Sequence, residues 1–232
     1  MTKEQLMVMN RTKIKPYIDI CNNKQGEPFK ILIIGNSITY HGVSEKIGWN
    51  HKSGMAASDI NNDFAHIIFK KTEKLMPTKK ICMRISNLAG FERNFPTYNF
   101  KLLDNLANYN PDIIIFQLGE NTSFDKLKTP ILFESKYIDL INYIKKDKHP
   151  VIICTTPFFP SLEKNEIIEQ VAIKTKSYLA DLSHLTLLDK ENYVKNEINY
   201  QGNKSDWKVS GIGVHPGDYG MKNIARQIFI LL

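Results

Sequence analysis

The sequence predicts a doubly wound α/β sandwich, a parallel sheet with helices on both faces. Three observations point there. Four short runs rich in Ile and Val recur along the chain, amphipathic stretches separate them, and 232 residues with 42 % hydrophobic content suit one sizeable domain. Strands of a parallel sheet are covered on both sides by crossover helices, so they read as continuous apolar runs rather than as alternating ones.

Residues 1–28 precede the first run and are expected to form an appended helix, packed as an extension on a single domain spanning 29–232. The run "KILIIG" (30–35) is the first strand. The segment "SDINNDFAHIIFKKTEKL" follows, with Ser58 as a good N-cap and Ile60, Phe64, Ile67, Ile68 and Leu75 on one helical face. Next come "KICMRIS" (80–86) and "DIIIFQLG" (112–119) as strands. In "ESKYIDLINYIKKDK" (134–148), Tyr137, Ile138, Leu140, Ile141 and Ile144 face inward, and the closing lysines suit a helix C-terminus. "VIICTT" (151–156) is the fourth strand, 162–182 a helix, "LTLLD" (185–189) a weaker fifth strand, and 221–232 the last helix. Strands alternating with helices imply right-handed crossovers and a mostly parallel sheet of about five strands.

The bulk numbers narrow the function classes. Lys and Arg exceed Asp and Glu by 31 to 24, for a net charge of +7, but the signs are mixed along most of the chain. The densest basic cluster, "KKTEKLMPTKK" (70–80), reads as a solvated helix end, so no nucleic-acid partner is expected. No window approaches the roughly 18 uncharged apolar residues that span a bilayer, and the first residues lack an apolar leader core. No membrane partner and a cytoplasmic location are therefore the expectation. Cys21, Cys82 and Cys154 are odd in number and widely spaced; they read as buried free thiols in a reducing compartment. Neither they nor the six histidines show ligand spacing, so no metal or cofactor is expected.

In such sheets ligand chemistry collects at the carboxyl ends of the strands. After the first strand stands Gly35-Asn36-Ser37; after the second, "NLAGFERN" with Gly90; after the third, Gly119-Glu120-Asn121; after the fourth, "TTPFFP". Ahead of the last helix lies "GIGVHPGDYGM", with His215. A serine hydroxyl is a poor nucleophile until a neighbouring base accepts its proton, and histidine titrates near operating pH. The tetrahedral oxyanion then needs preorganised N–H donors. The strand ends offer Ser37 as nucleophile, His215 as base, the N–H groups of Ser37 and Gly90 as donors, and Asn121 as an amide donor. Each residue also has a plainer use: Ser37 as a helix cap, His215 as a turn residue, Asn121 in an Asx turn and Gly90 in an ordinary one.

"GNSIT" around Ser37, Gly90 after the second strand, "GEN" after the third and "VHP" before the last helix resemble the four blocks of the SGNH (GDSL-type) hydrolases. The blocks run in family order from residue 30 to 232. The resemblance implies a flavodoxin-like three-layer α/β/α sandwich and metal-free ester hydrolysis, with Ser37 and His215 catalytic and Gly90 and Asn121 in the oxyanion hole. Many relatives remove acetyl groups from carbohydrates. The stretch "GWNHKSGMAASDINNDFAHII" looks like a bacterial subgroup with a Gly-Met-Ala-Ala-Ser segment, making Gly54 a second candidate for the oxyanion region. Tyr40, His41 and Trp49 are candidates for a sugar-stacking wall; alternatively Trp49 packs the loop.

One position departs from the pattern. Most family members carry an acid three residues before the histidine, and Ile212 stands there. Isoleucine cannot fix the imidazole tautomer or stabilise an imidazolium. Three alternatives follow: a backbone carbonyl orients the ring, another acid (Asp206 or Glu120) reaches in, or catalysis is lost. The leading function is thus a serine esterase hydrolysing small acyl esters, O-acetyl foremost, on a carbohydrate, its partner being a glycan or small-molecule ester substrate. A sugar O-acyltransferase sharing the acyl-enzyme and a degenerate glycan-binding module are the alternatives.

Overall fold

The computed structural model describes residues 17–159, 161–188 and 211–232. Six strands form one sheet: β1 (Tyr17–Cys21), β2 (Phe29–Gly35), β3 (Ile81–Asn87), β4 (Ile113–Phe116), β5 (Val151–Thr155) and β6 (Tyr178–Ala180). The spatial order is β1-β3-β2-β4-β5-β6, with β1 antiparallel to β3 and every other pair parallel. Without the edge strand β1 the order is flavodoxin-like, with β2 at the point where successive crossovers turn in opposite directions. That placement brings the loops after β3 and β4 to either side of the loop after β2.

The helices are α1 (Phe64–Leu75), α2 (Ala89–Asn94), α3 (Asp104–Ala107), α4 (Pro130–Lys145), α5 (Leu162–Thr175), α6 (His184–Leu188) and α7 (Asp218–Phe229). Side chains alternate across β2: Leu32 and Ile34 join the core beneath α4 and α5, whereas Ile31 and Ile33 join that beneath α1 and α7. Both faces are covered, as the unbroken apolar run required. The α4 helix opens on Pro130 with Thr129 accepting from the Leu132 N–H, and it buries Tyr137, Leu140, Ile141 and Ile144. Ile138 is partly buried.

Several local expectations change. Ser58 does not cap α1; Asp63 does, accepting from the His66 N–H, and the helix starts only at Phe64. Ile60 and Leu75 therefore fall off the buried face and are 41 % and 65 % exposed. The segment 162–182 is not one helix. Lys176 takes a left-handed conformation that ends α5, and Tyr178–Ala180 adds β6 beside β5. "LTLLD" falls largely within α6 instead.

Of the extension, residues 17–21 form a strand rather than a helix, and "YIDIC" lies along β3 with Cys21 opposite Cys82. These two cysteines form a disulfide with a Cα–Cα distance of 4.2 Å, which corrects the expectation of three free thiols; Cys154 alone is free and buried. Disulfides persist in oxidising surroundings, so the inference of a reducing compartment falls with it. Arg84 reinforces the same edge, pairing through two nitrogens with Asp19 while its guanidinium lies over the rings of Tyr17 and Tyr109. The bridge closes a 61-residue separation, for which chain entropy gives about 4 kcal/mol. Reduction under native conditions is expected to lower the thermal midpoint by about 10 °C, read by circular dichroism with and without reductant. An unchanged midpoint would show that β1 is held without it.

Candidate active site

The turn after β2 is built around a glycine that admits no side chain. A Cβ on Gly35 would lie 1.8 Å from Thr39 Oγ1 and 2.9 Å from the Gln117 carbonyl. The chain reverses there through Asn36, whose carbonyl accepts from the Thr39 and Tyr40 N–H groups and whose Oδ1 accepts from Ile38 N–H at 3.0 Å. Met55 N–H donates to the Ser37 carbonyl at 2.8 Å. Ser37 is thereby fixed at the strand tip with its hydroxyl directed at His215.

Ser37 Oγ lies 2.9 Å from His215 Nε2, and His215 Nδ1 lies 3.1 Å from the Gly211 carbonyl oxygen. A proton on Nδ1 donates to that carbonyl, which leaves the Nε2 lone pair facing the serine O–H. Gly211 has φ +79°, a left-handed conformation that favours glycine. A single 3₁₀ turn, Ile212–Val214, then carries the chain to His215, whose N–H donates to the Ile212 carbonyl. Burial pushes the His215 pKa down to about 4, helped by the charge of His41 and opposed by the Gly211 carbonyl. The ring of Phe159, from the loop after β5, meets it edge-on at 5.9 Å.

Gly90 is the second residue of α2 and exposed, a position where a helical N–H has no intrahelical partner. A Cβ there would meet only Tyr98, at 3.9 Å, so the site does not need glycine for space. Asn121 is held at both ends of its amide: Nδ2 donates to Glu92 Oε2 at 2.7 Å, and Oδ1 accepts from Arg93 at 2.9 Å. Glu92 is 0 % exposed, and its Oε1 also accepts from Gly119 N–H (2.6 Å), Asn36 Nδ2 (3.2 Å) and Asn121 N–H (3.4 Å). Burial raises its pKa against the lowering effect of these donors. Sequence reasoning passed over Glu92. The available signal was an acid set between the core residues Phe91 and Phe95 in a strand-end loop.

No family model and no curated protein matches the chain. Solved structures do. A two-domain esterase active on acetylated mannans, co-crystallised with mannopentaose, matches with a TM-score of 0.60 at 16 % identity, over 98 % of this chain and 52 % of that one. A candidate GDSL-like lipase from Bacteroides ovatus matches at 0.51 and 14 %, over 89 % and 98 % of the two chains. A family two carbohydrate esterase from Clostridium thermocellum, in complex with cellohexaose, matches at 0.50 and 17 %, over 89 % and 64 %. The fold is the SGNH (GDSL-type) hydrolase fold. The chain spans about half the length of the two-domain esterase.

Within the SGNH fold, the isoleucine at the usual acid position has a local explanation. Ile212 is 0 % exposed and packs with Trp49, Met55 and Ala56 in a small core of its own. Trp49, 1 % exposed, sends its indole N–H to the His41 carbonyl; it packs the loop beneath the histidine turn and presents no wall to a ligand. Gly54 is also buried, and its N–H donates to Asp63 at 3.1 Å, so it is not free to meet an oxyanion. Tyr40 is half-buried against the α1/α7 core, and its carbonyl accepts from Asn87. His41 is half-buried with Nδ1 on the Gly42 carbonyl.

Of the two substitute acids, Asp206 lies outside the described residues. Glu120 does not reach the histidine: its carboxylate accepts from Gln117 Nε2, Phe158 N–H and Phe159 N–H. Burial pushes its pKa up to about 8. It steadies the loop that sets Phe159 against His215. Ser58, displaced from its expected capping role, instead donates through its N–H and hydroxyl to Asp218, joining the 58–62 segment to the start of α7 three residues beyond the base.

No helix among the described residues is long and apolar enough to cross a membrane.

Proposed function

We propose that this chain is a serine esterase that removes small acyl groups, O-acetyl foremost, from a carbohydrate, using Ser37 and His215 as a dyad. The observation that carries the proposal is the relay from Ser37 Oγ through the His215 ring to the Gly211 carbonyl, with contacts of 2.9 and 3.1 Å. The backbone carbonyl replaces the acid as orienter, the first of the three alternatives for Ile212. The carbohydrate part rests on the fold shared with esterases whose substrates or ligands are mannans and cellohexaose.

In the first half-reaction Ser37 Oγ attacks the ester carbonyl carbon while its proton passes to His215 Nε2. The oxyanion takes hydrogen bonds from the N–H groups of Ser37 and Gly90 and from Asn121 Nδ2. Collapse of the intermediate breaks the bond to the sugar oxygen, which leaves with the proton from Nε2. Water repeats the sequence on the acyl-serine, releasing the carboxylic acid and restoring the hydroxyl. Throughout, Nδ1–H stays on the Gly211 carbonyl.

Acetate release from acetylated mannan by wild type and by Ser37→Ala tests the proposal. Release by wild type alone supports it; equal release by both proteins, or none by either on the polymer and on p-nitrophenyl acetate, overturns it. A pH profile adds a signature. The base works only when neutral, so activity falls as pH drops through its pKa. Burial moves that pKa from 6.5 to about 4, so the acid limb of kcat/KM is expected near pH 4. A limb between 6 and 7 would show an imidazole more solvated or better paired than this one.

A further inference from the structure

We propose that Glu92 and Arg93 form a charged clamp that sets the Asn121 amide as an oxyanion donor. The proposal rests on the esterase reading above and adds two positioning residues to it. Both are adjacent on the short helix α2, where neighbouring side chains diverge; Glu92 turns into the protein and Arg93 out to solvent. Between them they hold opposite ends of one amide, the carboxylate on Nδ2 at 2.7 Å and the guanidinium on Oδ1 at 2.9 Å.

An amide is nearly symmetric in shape and opposite in polarity at its two ends. Flipping Asn121 would set its oxygen against the Glu92 carboxylate and its NH₂ against the Arg93 guanidinium, exchanging two charge-assisted bonds for two repulsive contacts. The clamp therefore admits one orientation. With one Nδ2 hydrogen on Glu92, the second remains for substrate. A guanidinium drawing on the amide oxygen also makes the nitrogen hydrogens more positive, the direction that strengthens a bond to an oxyanion.

The inner half of the clamp spans the site. Through Oε1, Glu92 holds Asn36, the residue before Ser37, and the Gly119 and Asn121 N–H groups. One buried carboxylate thus fixes the nucleophile's turn and the donor's loop relative to each other. Every one of these bonds is accepted, so the group serves as the carboxylate; a proton on it would meet donors already in place. Arg93 forms no salt bridge among the described residues, so its contact with Asn121 is not shared with a competing acid.

Arg93 carries the test because it is exposed and can be replaced without opening the core. Steady-state hydrolysis of p-nitrophenyl acetate is measured for wild type, Arg93→Gln, Arg93→Lys, Asn121→Ala and Arg93→Gln/Asn121→Ala, with thermal midpoints for each. Asn121→Ala is expected to lower kcat about 10²-fold. Arg93→Gln is expected to lower kcat about 5- to 10-fold with KM and midpoint unchanged, Arg93→Lys to recover most of it, and Arg93→Gln to cost nothing further once Asn121 is alanine. Glu92→Gln, which keeps the shape, is expected to lower kcat more than Arg93→Gln does. An equal Arg93→Gln loss in both backgrounds, or a loss confined to KM, overturns the clamp while leaving Asn121 its role. Full activity in Asn121→Ala removes the donor role and the clamp with it. Full activity in Ser37→Ala removes the esterase reading itself.

Discussion

Ser37→Ala and His215→Ala are each expected to lower kcat/KM for a small acyl ester roughly 10⁴-fold or more, and the double variant no further than the worse of the two. The reason is that the two side chains perform one step. The hydroxyl has no nucleophilic strength without an acceptor for its proton, and the imidazole, 2.9 Å away, has nothing to deprotonate once the serine is gone. Under the proposed mechanism the oxyanion donors of Gly90, Asn121 and the backbone should survive, so activity is expected to fall to a floor rather than to nothing. Steady-state rates on p-nitrophenyl acetate for both single variants and the double variant are the check. Losses that multiply would mean that the two groups act independently.

Ile212→Asp, which supplies the acid that the resemblance to SGNH hydrolases leads one to expect there, is expected to weaken the protein rather than complete a triad. Ile212 is fully enclosed and packs with the apolar side chains of Trp49, Met55 and Ala56. A carboxylate buried among these apolar side chains gives up its hydration, and left without a partner it costs about 3–5 kcal/mol. At this chain length the thermal midpoint should fall by about 10 °C, with no gain in kcat. Equal destabilisation without a gain is also expected of Ile212→Glu. An Ile212→Asp protein of wild-type stability and raised kcat would show that the side chain reaches the imidazole, and the carbonyl-oriented dyad would fail.

What the sequence made legible followed from two strong local rules. Continuous Ile-rich runs located β2, β3, β4 and β5, because strands enclosed on both faces tolerate little else. Strand ends pointed to Ser37, Gly90 and Asn121 and the turn before the last helix to His215, and the fold brings the Ser37 and His215 side chains to hydrogen-bond distance. The rest depended on contacts between segments distant in sequence. β6 lay hidden inside a helical pattern because one left-handed lysine, Lys176, ends the helix at the second residue of the unbroken "TKSYLA" stretch. The disulfide was missed because Cys21 meets Cys82 only if the extension is an edge strand, and a short half-exposed segment gives little periodic signal. Trp49 and Ile212 looked unrelated at opposite ends of the chain, yet each accounts for the other by filling one small core. Glu92 carried no motif, and its four donors come from the turn after β2 and the loop after β4.

The central claim is that His215, oriented by the Gly211 carbonyl, activates Ser37. Labelling of the full chain with a fluorophosphonate, followed by peptide mass mapping, reads that activation directly because only an activated serine reacts. The predicted result is one adduct per chain on Ser37, absent in Ser37→Ala and reduced at least a hundredfold in rate in His215→Ala. Its rate should hold from neutral pH down to about 5 and fall near 4, where His215 takes up its proton. Adduct on another residue, or labelling of Ser37 at an undiminished rate in His215→Ala, would contradict the account.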